Sequence, residues 1–130
     1  MTIHARGPFD VKITPLANDA PSEGSPLGRM SIDKQFHGDL EATSKGEMLT
    51  AVTAIKNSAA YVAIERVTGT LHGRRGTFVL QHTGIMTRGT GQLTVAVVPD
   101  SGTGDLEGLV GTMSITIVGR EHSYDFEYGL

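Results

Sequence analysis

Residues 60–87 read AYVAIERVTGTLHGRRGTFVLQHTGIMT. Two runs rich in β-branched and aromatic residues flank His72-Gly73-Arg74-Arg75-Gly76, which has the composition of a turn. In Ala60–Leu71, alternation puts Tyr61, Ala63, Glu65 and Val67 on one face. In Thr77–Thr87, Phe78, Leu80, His82, Gly84 and Met86 share a face, and Thr77, Val79, Gln81, Thr83 and Ile85 share the other. Strands joined by a short turn are antiparallel. The stretch just before them, Glu47–Ile55, is where two periods compete. Met48, Leu49, Val52 and Ile55 fit helical spacing, but Val52, Thr53 and Ile55 are β-branched and Lys56-Asn57-Ser58 reads as a turn. A strand is expected there, with a helix as the alternative.

The same alternation extends in both directions. Phe9–Leu16 is a strand with Phe9, Val11 and Ile13 on one face, and Asn18–Gly28 is a loop. Arg29–His37 carries Met30, Ile32 and Phe36 on one face with Lys34 intruding among them. Gly38-Asp39 marks a tight connection or a bulge. Leu40–Ser44 continues that strand or begins the next, and Lys45-Gly46 is expected to break it. Gly84, inside a strand, signals a bulge, a bend or a close backbone approach.

After a turn at Arg88–Gly91 come strands Gln92–Val98 and Thr112–Val118. The loop Pro99–Gly111 separates them, with room for one helical turn. His122–Leu130 closes the series, with His122, Tyr124, Phe126 and Tyr128 on one face. About eight antiparallel strands in a chain this short suggest closure into one small barrel, which removes sheet edges. The expectation is an all-β protein with a single domain over residues 1–130.

Composition narrows the function classes. Seventeen of 130 residues are glycine, which disfavours long helices. Eleven Lys and Arg stand against 14 Asp and Glu, a net charge of -3, so no basic nucleic-acid face is expected. There is no cysteine, which excludes disulfides, thiolate metal sites and cysteine nucleophiles. No apolar run approaches the ~20 residues that span a bilayer, and MTIHARGPFD has no apolar signal core, so a soluble cytoplasmic protein is expected. His4, His37, His72, His82 and His122 form no metal-ligand pattern, and no metal or cofactor is expected.

Two passages carry a family resemblance. The loop Gly102-Thr103-Gly104-Asp105-Leu106-Glu107-Gly108-Leu109-Val110-Gly111 resembles the GTG-x-[hydrophobic]-x-G-x-x-G loop of barrels related to allene oxide cyclase and dirigent proteins. Tyr61–Leu71, followed by Gly73-Arg74, Gly76, Phe78 and Gln81-His82, resembles the bacterial domain-of-unknown-function family 3224. The resemblance runs from about Gly7 to the end of the chain. It implies a small antiparallel barrel with a partly apolar interior, and it transfers no catalytic residue. The glycines of the GTG loop suit a segment crossing closely over the barrel end.

Polar residues on apolar strand faces are the candidates for chemistry. Glu65, if its face lies inward in an apolar wall, would have a raised pKa and act as a general base or acid; the competing readings are an architectural pair with an arginine or a plain surface residue. Gln81 and His82 point to opposite faces, so one of them lines the interior, and the larger apolar groups beside His82 favour it. Glu41, Tyr61, Tyr124 and Tyr128 are candidate ligand contacts, although the last two could instead fill the barrel with their hydroxyls on backbone.

Two function classes remain. One is a small-molecule barrel with isomerase, cyclase or lyase activity on an apolar, carbonyl-bearing ligand, with Glu65 and His82 as the proton-transfer pair. The other is a non-catalytic barrel with a binding, carrier or assembly role. Apolar residues on both faces, such as Val62 and Ile64 opposite Tyr61 and Val67, predict a homodimer.

Overall fold

The computed structural model describes residues 2–16 and 26–130. The strands are β1 (Ile3–Pro15), β2 (Leu27–Phe36), β3 (Leu40–Val52), β4 (Ala59–Leu71), β5 (Arg74–Thr87), β6 (Thr90–Val97), β7 (Val110–Val118) and β8 (Glu121–Gly129). Each pairs antiparallel with its neighbours in chain order, and β1 pairs with β8, so the sheet is a closed barrel. The connection between β6 and β7 holds a single 3-10 turn, Gly104–Leu106. No described helix is long and apolar enough to cross a membrane.

The turns follow from local chemistry. His72-Gly73 and Arg88-Gly89 each place two successive residues at positive φ (46° and 80°, 46° and 94°) between directly paired strand ends. That is the primed two-residue hairpin whose twist matches the strands. The helical alternative for residues 47–55 fails because β3 runs to Val52, where alternate residues meet β2 and β4.

Other expected boundaries also shift. Lys45-Gly46 does not interrupt β3: Gly46 pairs opposite Glu65, and a Cβ there would lie 2.2 Å from the Ile64 carbonyl oxygen. The glycine permits a close strand approach and does not break the strand. Arg74 and Arg75 belong to β5 and not to a turn, because only His72 and Gly73 are needed to reverse the chain. Of the expected loop 18–28, residues 18–25 lie outside the described set, and Leu27 and Gly28 already belong to β2.

Inward residues fill one end of the barrel. This end carries the Gly38–Asp39 and His72–Gly73 turns and the β6–β7 connection. Phe36, Leu40, Leu71, Phe78, Leu80 and Phe126 are all buried there. Phe78 stacks on Phe126 at 5.7 Å between ring centres, and Phe36 meets Tyr124 edge-on at 5.5 Å. Leu106 and Leu109 plug the same end. Glycine lets that plug sit down: a Cβ at Gly76 would lie 2.0 Å from the Thr103 carbonyl oxygen.

Candidate functional site

Above this packed layer the interior turns polar. Lys34 on β2, Ser44 on β3, Glu65 on β4 and His82 on β5 all point inward and are buried. Glu65 Oε1 accepts from Lys34 Nζ at 3.0 Å and lies 2.9 Å from His82 Nε2, while Oε2 accepts from Ser44 Oγ at 2.9 Å. The barrel register makes this cluster. Lys34 pairs opposite Ser44, Gly46 opposite Glu65 and Ala63 opposite His82, so the four side chains stand on adjacent strands at nearly one level. The Lys34 ammonium also lies 5.3 Å from the Phe9 ring centre and 5.7 Å from that of Phe36. Every buried side-chain nitrogen and oxygen among the described residues has a hydrogen-bond partner.

The expected raised pKa of Glu65 is reversed. Burial alone pushes the carboxyl up, but the His82 hydrogen bond and the Lys34 charge together outweigh it and hold Glu65 below the ordinary carboxylate range. Glu65 is therefore ionised at neutral pH and forms a compact pair with Lys34. A carboxylate can only accept, so His82 Nε2 is the donor to it. In the neutral ring this leaves the Nδ1 lone pair free to accept from the Tyr61 hydroxyl, 3.2 Å away. Burial, and then the negative charge of Glu65, push the Tyr61 phenol up, so it stays protonated at neutral pH. The result is a chain Tyr61–His82–Glu65 leading inward from the opposite end of the barrel.

That end is open. A cavity of about 520 Å³ lies there, lined by Met48, Thr50, Tyr61, Met86, Leu93 and Ile117 among others, and among the described residues no charged side chain contributes to its wall. Tyr61 is its contact with the buried chain; Glu65 and His82 are not part of its lining. The expected glycine signal at Gly84 resolves into a close approach. A Cβ there would lie 2.4 Å from Tyr61 Cε1, so the bare backbone of β5 is the seat of the Tyr61 ring. A larger hollow, about 1110 Å³, lies elsewhere, on the outer surface of β2 to β5 between Arg29, Asp33, Lys45, Glu47 and Ile64.

The other candidates are scattered. Gln81 points to the outer surface and borders that hollow, and His82 is the inward member of the pair. Glu41 is exposed at the packed end, where its carboxylate accepts from the Gly38 N–H at 2.8 Å. The Tyr124 hydroxyl donates to the His37 carbonyl at 2.7 Å and accepts from the Leu40 N–H at 2.9 Å. Tyr128 bonds His72 at the same end. These three therefore do not meet the cavity, and their polar atoms serve turns and backbone. Among the described residues no cluster of three metal-ligating side chains occurs. Lys34 and Ser44 are the members of the polar layer that the sequence reading did not assign to the site. Their signal is visible in part: Lys34 interrupts an apolar face.

The family model for "protein of unknown function (DUF3224)" matches residues 5–128. A crystal structure of a protein of unknown function from the DUF3224 family of Shewanella oneidensis MR-1 is 53% identical, with a TM-score of 0.94. The match covers 100% of this chain and 98% of that one. No curated protein matches.

Proposed function

Since the chain belongs to the DUF3224 family of proteins of unknown function, we propose that its open half binds a small apolar, carbonyl-bearing molecule and moves a proton on it through Tyr61. The observation that carries this reading is the placement of one titratable relay, Tyr61–His82–Glu65, at the base of a cavity whose described lining is otherwise uncharged. The cavity volume falls within the range of small-molecule pockets.

The roles follow from position. Tyr61 touches the ligand. Its proton passes to His82 Nδ1 while the phenol oxygen takes a proton from a carbon next to the ligand carbonyl. The electron pair of the broken C–H bond moves onto the ligand oxygen. The imidazolium lies against the Glu65 carboxylate, which also holds the ring in the required tautomer. Reversal at a different ligand atom returns the proton and completes an isomerisation without a second acid. Glu65 is thus a positioning residue, removed from the ligand by His82. This assignment keeps the kinship with allene-oxide-cyclase-like and dirigent-like barrels as part of the proposal, because a shared fold is not a shared reaction.

A binding role without turnover has its own support. Lys34 already neutralises Glu65, which weakens the field available to an imidazolium. Prodan, an uncharged naphthyl ketone whose emission reports hydrogen bonds to its carbonyl, tests the site. Binding with a red-shifted emission that moves to the blue in Tyr61→Phe, with affinity falling about tenfold, is the expected result. Unchanged emission and affinity in the variant would remove Tyr61 from the site. Solvent-deuterium incorporation beside the carbonyl of small alkyl ketones then separates proton transfer from simple binding.

The proposal extends to a homodimer. Leu49, Val62, Ile64 and Ile85 form an exposed stripe on the outer face of β3, β4 and β5, with Leu49 directly opposite Val62. Light scattering that finds only a monomer at micromolar concentration would refute it.

A further inference from the structure

The barrel wall is not evenly stitched. β6 pairs with β5 along the whole length of β6, from Val97 opposite Leu80 to Thr90 opposite Thr87. β7 pairs with β8 from Val110 opposite Gly129 to Val118 opposite Glu121. Between β6 and β7, a single position is paired, Ala96 with Thr112, close to the packed end. From there to the open end the two strands run without a ladder among the described residues. Antiparallel register would set Thr94 against Ser114 and Gln92 against Thr116.

This seam coincides with the cavity. Gly91, Gln92 and Leu93 of β6 and Ile117 of β7 line it, and Leu93 and Ile117 are 47% and 61% exposed. The same side chains thus meet both the cavity and the outside. The facing segments 90–95 and 113–118 contain no Asp, Glu, Lys, Arg or Pro. Strand edges that face water permanently are ordinarily guarded by such residues. A neutral, unladdered edge beside the cavity suits a wall that widens for an uncharged guest.

We infer that the β6–β7 seam is the gate by which ligand reaches the Tyr61 cavity, and that this gate admits uncharged molecules. The inference rests on the cavity reading above, since it names the entrance to that same site. Parting the seam breaks little: the remaining seven ladders stay intact, and both edges swing on the paired position Ala96–Thr112. A charged guest would have to pass between apolar Leu93 and Ile117 with no counter-charge on either edge, a cost that a neutral ketone does not meet.

The absence of cysteine makes the test clean. The double variant Thr94→Cys/Ser114→Cys places one disulfide across the seam, just beyond the paired position. Stopped-flow mixing with prodan should show association and release at least about tenfold slower in the oxidised form, with affinity within about threefold and full recovery on reduction. Equal rates in oxidised and reduced protein would overturn the gate while leaving the cavity reading intact. Hydrogen exchange on the unmodified protein gives the independent decision. Amides of residues 91–95 and 113–117 that face the seam should exchange at least about a hundredfold faster than those of residues 63–67 on β4. Equal protection would overturn the gate whether or not prodan binds. Absence of prodan binding to either form would instead count against the cavity.

Discussion

At the packed end of the barrel, Phe78 stacks on Phe126 and Phe36 packs on Phe9 and Tyr124, with Leu106 and Leu109 in the same buried core. At the other end the same strands direct Met48, Tyr61, Met86 and Leu93 at empty space. The two regions share a backbone and differ in what the inward positions carry. Packing in the first region supplies stability, because dense apolar contacts are the main favourable term in folding. The second contributes little of that and retains a cavity. Lys34, Ser44, Glu65 and His82 lie at the boundary, where a buried charge pair fixes the base of the open half without being reached by its contents.

Substitutions should separate the halves. Phe126→Ala removes a fully buried ring that stacks on Phe78 and Tyr128, and should cost about 3–5 kcal/mol in a urea or guanidinium melt. A loss below about 1 kcal/mol would mean that the packed end is not the stabilising half. Glu65→Gln should cost nearly as much, about 3–5 kcal/mol, because it removes the counter-charge of the buried Lys34 amine. The double change Lys34→Met/Glu65→Leu should recover most of that loss, since a matched apolar pair needs no counter-charge. If it recovers nothing, the hydrogen bonds to Ser44 and His82 dominate over the ion pair.

Acid should act on the same boundary. The folded-state pKa of Glu65 lies below its ordinary value, so its contribution is complete above the carboxylate range and is lost as pH falls through the folded value. The stability gap between the parent and Glu65→Gln should be constant above about pH 5 and narrow below it. The exposed Asp125, also held low by His4 and Arg6, is common to both proteins and cancels in that comparison. A gap that widens in acid would contradict the pairing.

Smaller effects belong to the open half. Gly84→Ala drives a methyl group into the Tyr61 ring and should cost about 1–3 kcal/mol, with prodan emission shifted toward that of Tyr61→Phe. A normal spectrum in this variant would show that Tyr61 does not depend on its glycine seat. Met48→Ala, at the cavity wall, should cost less than about 1 kcal/mol, since the residue already faces space. A larger loss would make the open half part of the core.

Strand alternation carried most of the fold into the sequence. Tyr124, Phe126 and Tyr128 announce the inner face of β8, and Phe78, Leu80 and His82 that of β5, because a period of two survives any tertiary context. Glu65 and His82 stood out for the same reason, as polar groups on apolar faces. The missing quantity was register. Whether Lys34 faces Glu65 or a different layer depends on how far β2, β3 and β4 slide past one another, and no local residue pattern sets that. Gly46 illustrates the point. As a letter it resembles a strand break, and only its position opposite Glu65 reveals a crowded crossing. For Glu65 the architectural pair holds, with Lys34 in place of an arginine: the desolvation that raises a carboxyl is legible in the apolar wall, whereas the counter-charge that reverses it sits on another strand.

The pairing of β1 with β8 has a kinetic consequence. Ala5 pairs opposite Phe126, and Ile3 opposite Tyr128. These contacts join strands from the two extremes of the described chain, and the loop-closure entropy for them is the largest in the molecule. As the polypeptide leaves the ribosome, β1 can pair with β2 at once, but its other edge stays open until the last strand arrives. Barrel closure is then the slow event of folding, and the nascent sheet is most exposed to aggregation just before it. Pulse-labelled refolding should show protection on β3 and β4 well before it appears along the β1–β8 ladder.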